Sequence, residues 1–348
     1  MDCFHLTHGI SVEKDCLCDC CLMRTANNDG NPFIMNLDEN NLVDWDKFFE
    51  LKKTLKAPKI ADTHACNGCR NLTENCDYTK DQDYVALINF NHWNKCNSRC
   101  IYCNEGAVCG SSYFNVMPLM RSLSEYKDGS YLRNYSEVTF QGGEATVLPE
   151  FEELLDFFAD IEMKVRIHSN GIIFSNAIAR SLSKNLVSIV ISPDSAVRET
   201  YEKIKRVPCF DKTWTTIEKY AKAQVAPDLV KAKFIIIAGV NDTIEEIDKF
   251  IEKCCEIGVH NVIWEIEDRY LSTYNQDVPH ICMLIDYAMY KAEKAGLKDE
   301  FYDGAMYGMK NRSLPKTVIT DEKAFAQEYE ELKAKYQDRN IDYLLYFN

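Results

Sequence analysis

The chain has 348 residues, 46% of them hydrophobic and 27% charged, with 54 acidic against 40 basic side chains and a formal net charge of -14. That balance is a globular protein's, and it argues against nonspecific nucleic-acid binding, which needs a basic surface to displace counterions from phosphates. No apolar run is long enough to span a bilayer, and Met1-Asp2-Cys3-Phe4-His5 lacks a signal peptide's basic and apolar regions, so a cytoplasmic protein without membrane contact is expected.

Sixteen cysteines in a reducing compartment read first as metal ligands rather than disulfides. Cys3, Cys16, Cys18, Cys20, Cys21, Cys66, Cys69 and Cys76 all precede a polar stretch, Thr79-Lys80-Asp81-Gln82-Asp83, where a domain boundary near residue 80 is expected. Beyond it, short apolar runs at 84–90, 137–140, 164–167, 187–191, 232–237 and 261–266 read as strands of a parallel sheet built from strand-helix units. Between them, Phe151, Leu154, Leu155 and Phe158 recur at helical spacing, as do Ile244, Ile247, Ile251, Cys254 and Cys255. Thr243 with Glu246 forms a capping box, and Cys254 and Cys255 read as small buried hydrophobes. After residue 270 the pattern loosens. Phe325, Tyr329, Leu332 and Tyr336 share one face of an amphipathic helix over 321–335, and the aromatic run 343–347 is expected to dock on the rest.

Two motifs follow strands of this series. After the first stands Lys95-Cys96-Asn97-Ser98-Arg99-Cys100-Ile101-Tyr102-Cys103, and after the second Gln141-Gly142-Gly143-Glu144. The C-x3-C-x2-C spacing suits three thiolates on a cubane iron-sulfur cluster whose fourth iron stays open for a small molecule. A zinc site is the alternative chemistry, with Cys109 or His92 as fourth ligand, but it leaves the glycine motif unexplained.

Together the motifs resemble the radical S-adenosylmethionine (radical SAM) superfamily, over roughly residues 84 to 270. The resemblance implies an α/β fold with a partial (β/α)6 TIM-like barrel over 81–270, a small Cys-rich iron-sulfur domain over 1–80 and a C-terminal helical extension over 271–348. In such barrels the site lies at the C-terminal ends of the strands. It implies a [4Fe-4S] cluster on Cys96, Cys100 and Cys103, with SAM chelated at the open iron and Tyr102 near the adenine. Gly142, Gly143 and Glu144 are expected to accept from the SAM ammonium. Ser192, and after it Asp194, resemble the ribose-contacting position, Asn170 the family's Asn-Gly turn, and Lys233 is a candidate cation for the SAM carboxylate. His168 reads as structural rather than as a relay.

The N-terminal segment, with His8-Gly9-Ile10-Ser11-Val12 leading into Cys16, Cys18, Cys20 and Cys21 and then Cys66-Asn67-Gly68-Cys69 and Cys76, resembles the SPASM and twitch auxiliary-cluster modules, which usually follow the barrel. At least one auxiliary [4Fe-4S] cluster is expected, drawing on Cys18, on Cys20 or Cys21, and on Cys66, Cys69 and Cys76. A single structural zinc is the alternative.

The expectation is therefore an enzyme that cleaves SAM reductively to a 5'-deoxyadenosyl radical and abstracts a hydrogen atom from its substrate. A reducing partner such as flavodoxin or ferredoxin would supply electrons, and an auxiliary cluster favours an oxidoreductase outcome. Peptide maturation is the first substrate reading, tailoring of a sugar or other small metabolite the second. A non-catalytic iron-sulfur carrier is the reading from another class. Cys209 and Cys282 read as packing rather than as hydrogen-atom donors.

Overall fold

The runs of alternating and continuous apolar residues become strands, and the 3.6-period runs become helices laid over them. The computed structural model describes residues 4–18, 33–54, 84–103, 114–273, 278–301 and 317–336. Contacts group the chain into two units: Met1–Cys96 with Val108–His168, and Asn97–Ala107 with Ser169–Asn348.

In the first unit a short helix α1 (Phe4–His8) leads into β1 (Gly9–Val12), β2 (Cys16–Cys18) and β3 (Phe33–Asn36), followed by α2 (Trp45–Thr54). Then come β4 (Val85–Phe90), α3 (Met117–Glu125), β5 (Leu132–Phe140), α4 (Phe151–Asp160) and β6 (Lys164–Ser169). The strand order is β3-β2-β1-β4-β5-β6. β4, β5 and β6 run parallel, and β1 adds to the far edge of β4, also in parallel, with Ile10 opposite Ile88 and Val12 opposite Phe90. β2 and β3 extend that edge antiparallel. Strand β6 alternates, with Val165 and Ile167 inward and Lys164, Arg166 and His168 outward, as a strand with one wet face does. α4 buries Phe151, Leu154, Leu155 and Phe158 along one stripe. The stretch before residue 80, read from sequence as a domain of its own, thus contributes three strands to the sheet of β4. Nothing in periodicity flagged β1 to β3, because each has only three or four residues.

The second unit contains α5 (Asn176–Leu182), β7 (Val187–Ile191), α6 (Arg198–Lys205), α7 (Phe210–Ala223), β8 (Val230–Ile236) and α8 (Ile244–Glu256). β9 (Asn261–Ile266), α9 (Asp268–Thr273), α10 (Pro279–Lys294), β10 (Lys298–Phe301) and α11 (Glu322–Ala334) follow. β7, β8, β9 and β10 form a wholly parallel array in that order. β9 buries Val262, Ile263 and Trp264 in succession, as strands covered by helices on both faces do. All six strands expected from sequence are present in a mostly parallel α/β architecture.

Three local readings change. Thr243 Oγ1 caps α8 by accepting from Glu246 N at 3.2 Å, but the Glu246 carboxylate turns away and accepts from Ser195 Oγ at 2.6 Å, so only half of the capping box forms. Cys254 is buried, with its thiol pKa pushed up by that burial, whereas Cys255, one position round the helix, is exposed. α11 buries Phe325 and Tyr329 and leaves Leu332 half-buried, while Tyr336, also half-buried, lies past the helix end. The helix is held where Tyr329 OH donates to Asp242 O at 2.6 Å. The aromatic run 343–347 lies outside the described residues. No helix among the described residues is long and apolar enough to cross a membrane.

Candidate functional site

In the first unit the Gln141-Gly142-Gly143-Glu144 turn leaves β5 and runs against residues 91–95, the lead-in to Cys96. Gln141 N donates to Phe90 O at 2.9 Å, Gly143 N to Trp93 O at 3.3 Å and Glu144 N to Lys95 O at 2.8 Å. Both glycines are required by that approach. Gly142 has φ +91°, and a Cβ there would meet Trp93 O at 2.5 Å, while a Cβ on Gly143 would meet Lys95 O at 2.0 Å. The glycines therefore fit backbone to backbone. Glu144 is buried and caps the following turn, accepting from Thr146 N at 3.3 Å and Thr146 Oγ1 at 2.7 Å.

The lead-in itself is tied to the N-terminal hairpin. Asn91 Nδ2 donates to both Glu13 carboxylate oxygens, at 3.1 and 3.0 Å, and Ser11 Oγ donates to Glu13 at 2.7 Å. His92 is wholly buried between Phe90, Trp93 and Phe114, with no hydrogen-bond partner for either ring nitrogen among the described residues. Burial lowers its pKa to about 3.

In the second unit the cysteine loop sits on the C-terminal end of α6. A helix leaves its last carbonyls without intrahelical partners, and here the loop fills them. Ile101 N donates to Ile204 O at 2.9 Å, Arg99 N to Lys205 O at 3.1 Å and Ser98 Oγ to Lys205 O at 3.2 Å. Arg206 closes the helix in the left-handed region at φ +55°. Ile101 packs in a buried cluster with Ile204, Ile235 and Ile237. Arg269 Nη2 donates to Ile101 O at 3.0 Å while its Nε donates to Glu267 at 2.7 Å.

Beneath the loop lies a buried polar triad. Tyr102 OH donates to Asp194 Oδ2 at 2.7 Å, and Lys205 Nζ donates to the same oxygen and to Tyr102 OH at 2.9 Å. Asp194 Oδ1 accepts from Ile235 N at 3.1 Å, and Asn241 Nδ2 donates to Asp194 O at 2.8 Å. Lys205 and Asp194 are 1% and 0% exposed. Burial works against the ammonium, but Asp194 and then Cys100 outweigh it and its net pKa shift is upward. Burial, then Asp194 and Cys100, drive the Tyr102 phenol well above its usual range.

These placements redistribute the sequence-derived roles. Asp194, read as a ribose contact, spends both carboxylate oxygens inside the protein. Ser192 is half-buried just past the end of β7, with its N bonded to Ser169 O at 3.1 Å. Asn170 shapes its turn by accepting from Ile172 N at 3.0 Å and donates to Oδ1 of Asn97, the residue after Cys96, at 2.6 Å. Lys233 lies mid-strand in β8 and pairs with Glu265 at 2.8 Å. Cys16 and Cys18 lie side by side on β2 with sulfurs 3.9 Å apart, and the bond to Cys18 lowers the Cys16 pKa. Cys20, Cys21, Cys66, Cys69, Cys76 and Cys109 lie outside the described residues. Sequence reading passed over Lys205 and Arg269. Lys205 stands in Glu202-Lys203-Ile204-Lys205-Arg206, a charged run of the kind that ordinarily faces solvent.

Cys96, Cys100 and Cys103 form no disulfide among the described residues. Ser98 Oγ lies 3.2 Å from Cys100 Sγ, and the Lys205 ammonium is within electrostatic range of that sulfur. The hydroxyl and the cation at Cys100 suit a sulfur ligand of an anionic iron-sulfur cluster, while among the described residues no three Cys, His, Asp or Glu side chains close on a single metal ion.

A mostly parallel α/β sheet with this cysteine loop after one strand and a Gly-Gly-Glu turn after the next defines a radical SAM enzyme domain. Residues 90–254 match the model of the Radical SAM superfamily, and that stretch is a radical SAM superfamily domain. The chain is 27% identical over 161 residues to GTP 3',8-cyclase of Clostridium botulinum, covering 45% of this chain and 49% of the cyclase. It is 28% identical over 133 residues to the molybdenum cofactor biosynthesis protein moc-5 of Caenorhabditis elegans, covering 36% of this chain and 21% of that protein. It thus spans half or less of the length of these curated relatives. Among solved structures, Streptococcus suis SuiB bound to its precursor peptide SuiA aligns with a TM-score of 0.51 at 12% identity, over 86% of this chain and 63% of SuiB, a likeness of fold.

Proposed function

We propose that this chain cleaves S-adenosylmethionine reductively and uses the resulting radical to remove a hydrogen atom from its substrate. The observation that carries the reading is the C-x3-C-x2-C loop seated on the end of α6 within a radical SAM domain. A [4Fe-4S] cluster on Cys96, Cys100 and Cys103 supplies, when bound and reduced, the electron that breaks the sulfonium bond. The protein's part is binding, orientation and exclusion of side reactions. Gly142 and Gly143 hold the lead-in to Cys96, and Glu144 offers its carboxylate to the SAM ammonium. Tyr102 lies against the adenine and Ser192 meets the ribose, while Asp194 serves both from beneath by fixing Tyr102. Asn170 braces Asn97. Lys233, engaged by Glu265, is the weakest of the assigned contacts.

The N-terminal cysteines carry an auxiliary cluster in this reading, a one-electron sink that suits an oxidative outcome with flavodoxin or ferredoxin as reductant. Their resemblance to SPASM modules supports a peptide substrate. A second reading, a nucleotide or other small metabolite, is favoured by the sequence similarity to GTP 3',8-cyclase. Reduced, reconstituted enzyme incubated with deuterated peptides and nucleotides separates them: deuterium in 5'-deoxyadenosine from peptides alone supports the first, from nucleotides alone the second. SAM left intact under strong reductant overturns both.

A further inference from the structure

A lysine ammonium is costly to bury, since desolvating an ion takes several kcal/mol that pairing only partly restores, and a well-packed apolar residue at such a place is often as stable or more so. Lys205 is nevertheless sealed from solvent. Two of its three protons go to Asp194 and Tyr102, and its backbone carbonyl receives two bonds from the cysteine loop. Position 205 is thus where the scaffold grips the loop by main chain and side chain at once. Tyr102 sits between Cys100 and Cys103 in sequence, so a phenol clamped from both sides limits how the two flanking sulfurs move.

We propose that Lys205 is a positioning residue for the cluster loop: its buried ammonium, locked by Asp194, holds Tyr102 and keeps a permanent positive charge near the Cys100 sulfur, making a cluster carried there easier to reduce. The inference rests on the radical SAM reading above. Its physical basis is that reduction adds negative charge, which a nearby fixed cation stabilises most where water is excluded. Arginine retains the charge and methionine only the bulk, so the two variants separate electrostatics from packing.

The test is an electron paramagnetic resonance titration of anaerobically reconstituted Lys205→Met and Lys205→Arg full-length protein beside wild type, with iron content and circular dichroism measured on each. The expected result is a signal lost in Cys100→Ala whose midpoint in Lys205→Met lies lower by about tenfold in the reduction equilibrium, roughly 59 mV for one electron, and returns toward wild type in Lys205→Arg. An unshifted midpoint in folded, iron-loaded Lys205→Met overturns the inference while leaving the radical SAM reading intact. If Lys205→Met does not fold, Lys205→Arg decides alone: its midpoint must match wild type, and a shift as large as tenfold overturns the inference. Absence of any Cys100-dependent signal in wild type defeats the radical SAM reading itself.

Discussion

Gly143 and Lys95 approach so closely that a methyl group on the glycine would stand 2.0 Å from the lysine's carbonyl oxygen. Lys95 directly precedes Cys96, so the glycine turn and the first cysteine are placed by one backbone contact. Gly143→Ala must push that carbonyl away. The expected outcome is a loss of about 1–3 kcal/mol, the range typical of overpacking, with a fall in the iron held by Cys96, Cys100 and Cys103. Urea unfolding with iron quantification on the same sample checks it.

Asp194→Ala would leave the Lys205 ammonium buried without its counter-ion. Breaking a buried pair from one side costs about 3–5 kcal/mol. Asp194→Asn, which keeps shape and an acceptor, should cost less. Denaturation of the metal-free proteins gives both figures, and equal stabilities would contradict the pairing.

His92 provides a pH dependence of known sign. Its pKa is about 3 in the folded chain and 6.5 as the reference for the unfolded one. Between these values the unfolded state binds the extra proton, so stability is complete above pH 6.5 and declines as pH falls, by up to about 1.4 kcal/mol per pH unit. His92→Leu should flatten that slope between pH 6 and 4 in urea titrations of metal-free protein.

If the N-terminal cysteines carry a second metal, as proposed, the two sites should be lost separately. Cys100→Ala should abolish SAM cleavage while any N-terminal metal remains, and Cys69→Ala should remove N-terminal metal while SAM cleavage persists, coupled or uncoupled from substrate. Iron and sulfide counts on each variant decide, and equal loss of all iron in both contradicts separate sites.

Much of this was legible from residues. The strands at 187–191 and 261–266 appear within the expected limits because β-branched runs bounded by helices leave little choice. Cys96, Cys100 and Cys103 are picked out by their spacing alone, and the structure adds the seat of residues 98–101 on the end of α6. What did not show was anything set by a partner far along the chain. Lys205 reads as a surface charge until Asp194 and Tyr102 close over it, and Asp194 reads as a ligand contact until Ile235 and Lys205 take its oxygens. Likewise Gly9 to Val12 carry too short a pattern to announce a strand; only pairing with 87–90 makes them one.

That pairing has a practical corollary. Cutting the gene at residue 81 to express the catalytic portion alone would strip β4 of its neighbour and bare a row of amide and carbonyl groups ending beside the loop that leads to Cys96. Such a fragment is expected to self-associate through the denuded edge.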